Sequence, residues 1–169
     1  MREKRCDMPT LLRRIYNSYG ATRALKLVSH LVTLLSVAAF FVLVFFFWRI
    51  SFFSLARYLL ILGVPFLCVT LVRRWINAPR PFELYDFYIL PPRKECGRSF
   101  PSRHAYSAFA IGAALSYVSL PLGIALLILG ALMCCARVLL GLHFVRDVAC
   151  GAAVGVISVL LGFLIISPL

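Results

Sequence analysis

Charge is scarce in this chain of 169 residues: Asp, Glu, Lys and Arg together make up 14% of it. Negative charge is scarcer still, with 6 acidic residues against 18 Lys and Arg, and no charged residue follows Asp147. Such a chain cannot cover a soluble domain with a solvated polar shell. Its cysteines (Cys6, Cys68, Cys96, Cys134, Cys135 and Cys150) include no CxxC pair and no Cys/His cluster at zinc spacing. Zinc ribbons and dithiol redox motifs are therefore excluded, and the cysteines within apolar runs read as small hydrophobes. There is no internal repeat, low-complexity tract or sign of a second domain. The first long apolar run is too long for a signal-peptide core and lacks a small-residue cleavage pattern, so no cleaved leader is expected.

Hydrophobic residues account for 62% of the chain, and its mean hydropathy is +0.94. Soluble domains run nearer about 45–50% apolar, so the excess points to a bilayer. A spanning helix needs about 20 mostly apolar residues. Five runs qualify, at about 27–48, 55–73, 102–118, 121–138 and 144–166, with a kink expected at Pro65. The sequence thus predicts an all-α integral membrane protein of about five transmembrane helices. Residues 8–24 are too polar to cross. Leu11, Leu12, Ile15 and Tyr19 can share one face while Arg13 and Arg14 meet water, which predicts an interfacial amphipathic helix. The division is a basic N-terminal segment over 1–26 and one transmembrane catalytic domain over 27–169, with an active-site loop at 74–101. Gly151 and Gly155 form GxxxG, which admits a close helix from the same molecule or from a second copy and leaves the oligomeric state open.

The formal charge of +12 would suit nucleic acid. Here, however, the basic residues lie between apolar runs, so no nucleic-acid partner is expected; anionic headgroups or a phosphorylated substrate fit better. Ionisable side chains at mid-bilayer cost about 2.5–3.5 kcal/mol each on insertion scales, and less near the interface. Three clusters carry them, "RRWINAPRP" at 73–81, "PSRH" at 101–104 and "RVLLGLHFVRD" at 137–147. Consecutive spans reverse direction. An end, a start, and an end joined to a start therefore fall on one face of the membrane.

Chemistry follows from the residue types. His143 and Asp147 are four apart, so on a helix they would stack, the carboxylate fixing the imidazole tautomer and leaving the other nitrogen as a nucleophile. Gly141 permits a turn that brings Arg137 toward them. Arg73 ends the second helix; Pro79 and Pro81 stop it and can turn Arg80 back over the site. Three guanidiniums beside a histidine call for an anion with several oxygens, and their geometry matches phosphate. Pro101 opens a helix whose first N–H groups, around Ser102 to His104, make a further anion site. His104 adds a second imidazole, suited to protonate a departing oxygen.

These three clusters resemble the motifs of the type 2 phosphatidic acid phosphatase superfamily, K-x6-R-P, P-S-G-H and S-R-x5-H-x3-D, in order and in spacing. The resemblance implies that His143 attacks phosphorus to form a phosphohistidine, Asp147 orients it and His104 protonates the leaving group. Arg73, Arg80, Ser102, Arg103 and Arg137 would hold the phosphate, with no metal and no cofactor. Three positions depart from the pattern. Arg73 stands for the lysine and Arg103 for the glycine of P-S-G-H, where it adds a cation; Ala136 stands for the serine and loses a hydroxyl. None of the three removes a proton-transfer group. An active enzyme is expected.

The expected substrate is a lipid phosphate or pyrophosphate: a polyprenyl pyrophosphate, phosphatidic acid or phosphatidylglycerophosphate. Phe82, Tyr85, Phe87, Tyr88, Ile89 and Leu90 would form a lid or entrance wall at the headgroup layer. Phosphoryl transfer to another lipid shares the first half-reaction. A non-catalytic anion-binding membrane protein is the rival reading, although transporters usually set polar residues at mid-bilayer on broken helices rather than at span ends. The localisation expected is a bacterial plasma membrane. With five spans, the N-terminus and the site share the side that carries most of the Lys and Arg, while Arg49 and Arg57 lie opposite. The positive-inside rule then makes that side cytoplasmic, whereas the family's habit is external.

Overall fold

The computed structural model describes residues 18–84 and 97–165, apart from the side chain of Tyr19. Among these residues every regular element is helical: α1 (Tyr19–Ile50), α2 (Phe52–Ile76), a single turn α3 (Pro81–Leu84), α4 (Arg103–Val118), α5 (Leu120–Leu139) and α6 (Val145–Ile165). Five long helices form the bundle. α1, α2, α5 and α6 are each long and apolar enough to cross a membrane. α4 has 16 residues, about 24 Å at 1.5 Å per residue, and falls short of a hydrocarbon core of about 30 Å.

The shortness of α4 follows from its place. It is the central helix, packed against α1, α2, α5 and α6, and its buried positions include Ala105, Ala108, Ala110, Gly112, Ala113 and Ala114. Small side chains let neighbouring backbones close around it. Each of the other four long helices carries exposed large apolar residues, such as Phe41, Phe53, Leu122 and Leu164, a surface suited to lipid and costly in water.

Short hinges set the antiparallel order. Ser51 alone separates α1 from α2, and its side chain accepts from Ser54 N at 3.1 Å. Ser119 alone separates α4 from α5, with proline in the first turn of α5. Asn77, at φ 43°, ends α2 in the left-handed conformation. Away from the charged clusters, Phe47 stacks on Tyr58 at 4.9 Å and Tyr117 packs on Phe163 at 4.4 Å. Beside Pro65, Tyr106 Oη donates to the Leu62 carbonyl at 2.7 Å. Trp48 and Trp75 lie exposed at opposite ends of the bundle, where interfacial belts belong.

Some boundaries differ from the sequence expectation. α1 starts at Tyr19 and runs without a break through residue 27, because its polar first turns continue the helix beyond the apolar run. Ser18 caps it, its side chain accepting from Ala21 N. The interfacial helix expected over 8–24 lies, up to residue 17, outside the described residues. So do Tyr85, Phe87, Tyr88, Ile89 and Leu90 of the expected lid. Both glycines of GxxxG face α4. A Cβ on Gly151 would stand 2.4 Å from the Ser102 carbonyl oxygen, and one on Gly155 would stand 2.7 Å from that of Tyr106. The motif therefore packs within the molecule.

Candidate active site

Three segments meet at one end of the bundle. Arg73, in the last turn of α2, is buried, and its Nη1 donates to the Pro101 carbonyl at 3.1 Å. Past Asn77 the chain turns, and the buried Arg80 donates from Nε to the Gly97 carbonyl at 3.0 Å. Its guanidinium lies 5.8 Å from the Phe82 ring centre. Glu83 holds this corner, its Oε1 accepting from Gly97 N at 2.6 Å and Arg80 N at 3.3 Å. Gly97 has φ 68°, and a Cβ there would meet the Asn77 side chain at 2.6 Å, so the corner needs glycine. Ser99 N donates to the Ala78 carbonyl at 2.9 Å, and Phe82 N to that of Gly141 at 3.2 Å.

The second segment is the start of α4. Ser102 is its N-cap, accepting from Ala105 N at 3.4 Å while its backbone N–H donates to the Asp147 carbonyl at 3.0 Å. This departs from the sequence expectation, since that N–H joins two segments instead of facing a ligand. The first-turn N–H groups of Arg103 and His104 have no partner within the helix, the kind of donor pair that suits an anion. His104 is half-buried and Arg103 exposed. Arg137, His143, Arg103 and Arg73 all lie within electrostatic reach of His104.

The third segment joins α5 to α6. Gly141 at φ 62° reverses the chain, and Leu142 N donates back to the Arg137 carbonyl at 3.0 Å. His143 and Asp147 are both buried, yet their nearest approach, Nδ1 to Oδ2, is 3.8 Å. The sequence anticipated a direct hydrogen bond from i,i+4 stacking. α6 begins only at Val145, so His143 precedes the helix and that stacking does not apply. Nδ1 instead lies 3.0 Å from the Ser99 carbonyl oxygen and donates to it. Ser99 Oγ donates to Asp147 Oδ2 at 2.5 Å, which also accepts from Phe144 N at 2.9 Å. Arg146 stands exposed at the rim, 3.6 Å from Asp147 Oδ1 and 5.2 Å from the Phe144 ring centre. Burial holds the His143 imidazole below its ordinary pKa; Asp147 opposes the shift, and Arg137 and Arg73 add to it. The neutral ring that results can serve as a nucleophile.

Ser99, Glu83 and Gly97 were not singled out in the sequence. The only signal for Ser99 was its position three residues before Ser102, and nothing in composition or spacing marks such a serine. Among the described residues no group of three His, Cys, Asp or Glu side chains gathers as a metal cage. Positive charge around His104 and His143 comes from the guanidiniums of Arg73 and Arg137. Below it, a cavity of about 330 Å³ is walled by His104, Arg103, Ser107, Phe40, Phe66 and Met133, among others. A second cavity, of about 210 Å³ and also bordered by Phe40, Phe66 and Ser107, extends toward Leu59 and Leu62.

A buried histidine beside a carboxylate, with guanidiniums and a helix start around it in a membrane bundle, is an arrangement suited to phosphate. The family model of the PAP2 superfamily matches residues 54–168, and the chain belongs to that superfamily. It is an integral membrane lipid phosphate hydrolase. Among solved structures it is similar to LpxE of Aquifex aeolicus, at 26% identity and TM-score 0.70, over 91% of this chain and 93% of that one. It shares its fold with the PAP2-type phosphatidylglycerolphosphate phosphatase of Bacillus subtilis, at 22% identity and TM-score 0.64, over 90% of this chain and 83% of that one. No curated protein matches.

Proposed function

We propose that the chain hydrolyses a lipid phosphate or pyrophosphate of the polyprenyl, phosphatidic acid or phosphatidylglycerophosphate type through a phosphohistidine on His143. The observation that carries this reading is the cavity beside His104 and Arg103, walled with apolar surface by Phe40, Phe66, Ile111 and Met133, with space for the first part of a lipid tail. Arg73, Arg80, Arg137 and Arg103 neutralise the phosphate, with the Ser102 hydroxyl and the first N–H groups of α4 as further donors.

His143 Nε2 attacks phosphorus, and the bond from phosphorus to the lipid oxygen breaks. The electron pair stays with that oxygen, which takes a proton from His104, whose protonated form the bound phosphate anion favours against the surrounding guanidiniums. Water then attacks the phosphohistidine, His104 accepts its proton, the P–N bond breaks and inorganic phosphate leaves. The test is phosphate release by purified protein in detergent or liposomes across a panel of lipid phosphates. Release is expected to persist in excess chelator and to fall with vanadate, a mimic of pentavalent phosphorus. Loss in chelator with rescue by magnesium overturns the arginine-only account. Phosphate found on an acceptor lipid instead of free redirects the second half-reaction to transfer.

The site is proposed to face the cytoplasm of a bacterial plasma membrane. Its side carries Arg74, Arg98, Arg103 and Arg146, while Arg49 and Arg57 lie on α1 and α2 toward the other end. Cys96 immediately precedes Gly97 in the sequence, so with a cytoplasmic site it is expected to resist a membrane-impermeant maleimide in intact cells and to react after lysis. Strong labelling from outside overturns the assignment.

A further inference from the structure

His143 and Asp147 stand too far apart for a hydrogen bond, and the space between them is filled by one residue. Ser99 is fully buried and is anchored through its own N–H to the Ala78 carbonyl. Its carbonyl lies 3.0 Å from His143 Nδ1. Its hydroxyl lies 2.5 Å from Asp147 Oδ2 and 3.4 Å from Nδ1. We infer that Ser99 is a positioning residue of the hydrolysis, its carbonyl fixing the Nδ1–H tautomer of His143 and its hydroxyl, donating to Asp147, holding that carboxylate beside the ring.

The physical reason lies in when charge appears. Before attack the imidazole is neutral and needs only orientation, which the carbonyl supplies. As Nε2 bonds to phosphorus the ring becomes cationic, and a carboxylate 3.8 Å away acts best through a polarisable hydroxyl placed between them. Asp147 is itself fixed for that task. Oδ2 takes two donors, and Oδ1 faces the Arg146 guanidinium. The other charged groups near the ring, Arg73 and Arg137, are cations that favour the incoming phosphate and oppose the cationic ring. The Asp147–Ser99 link therefore has the stabilisation of that ring to supply.

This inference rests on the phosphohistidine reading, and Ser99→Ala isolates it, since alanine keeps the carbonyl and removes only the hydroxyl. The experiment measures kcat, KM and phosphoenzyme formation by rapid quench for wild type, Ser99→Ala, Asp147→Asn and the double variant. Expected is a fall in kcat of roughly tenfold to a hundredfold for Ser99→Ala, with KM nearly unchanged. The double variant should lose no more than the worse single one, because both act through one link. Ser99→Cys, similar in size with a weaker donor, should be intermediate; it takes the place of Ser99→Ala in the cycle if the alanine variant is not recovered folded. Unchanged kcat in Ser99→Ala, a rise confined to KM, or multiplicative losses in the double variant overturn the inference while leaving hydrolysis intact. A wild-type enzyme that turns over without phosphoenzyme overturns both.

Discussion

Replacing His143 with alanine is expected to lower phosphate release by on the order of 10⁴-fold or more, since the proposed covalent intermediate forms on its imidazole. Binding should survive, because Arg73, Arg80 and Arg137 stay in place, and a vanadate-competition assay would register this. The imidazole has a second signature. Burial holds its pKa below the ordinary value of about 6.5, so the ring is neutral at pH 7. Attack needs that neutral form. Activity is therefore present above the folded pKa and is lost as pH falls through it. Once substrate ionisation near about pH 6 is divided out, the acid limb of kcat/KM should lie below about 6.5. A limb above that value contradicts the burial account, and near wild-type turnover in His143→Ala sinks the mechanism.

Much of the fold was legible in the sequence because bilayer length selects long apolar runs, and four of the five long helices are long and apolar enough to span. The fifth was legible as a helix with nearly its observed bounds, but was read as a span although it is too short for one. α4 is ringed by protein, and the Ala and Gly that let it pack read as apolar whether or not they reach both interfaces. Convergence of the three clusters followed from counting reversals. What the sequence could not carry was the link between His143 and Asp147. A four-residue spacing predicts a direct pair only on a continuous helix, and the break at Phe144 is a tertiary outcome of the Gly141 turn. Ser99 was invisible for a related reason. Its hydroxyl gains meaning only when Ala78 and Asp147, distant in the chain, arrive on either side of it. The GxxxG ambiguity was likewise one of partner choice, which periodicity does not decide.

That partner choice yields the second large expected effect. Gly151 sits where α6 presses on the start of α4. A methyl there would stand 2.4 Å from the Ser102 carbonyl oxygen and 3.3 Å from its carbon. Both atoms are backbone, so no flexible side chain can yield, and relief requires α6 to move off α4. That movement pulls on the hydrogen bond from Ser102 N to the Asp147 carbonyl, which ties the start of α4 to the first turn of α6. Overpacking of this kind costs about 1–3 kcal/mol for a well-packed core. Gly151→Ala is expected to lower both the thermal midpoint in detergent and phosphate release, and Gly151→Leu to leave no folded enzyme. Gly63 supplies the contrast. A Cβ at that position of α2 meets nothing within 4 Å, and Gly63→Ala should keep the midpoint or raise it, as alanine is the better helix former. If Gly151→Ala matches wild type in midpoint and turnover, α6 does not press on Ser102, and the packing that positions the start of α4 must come from α2 or α5.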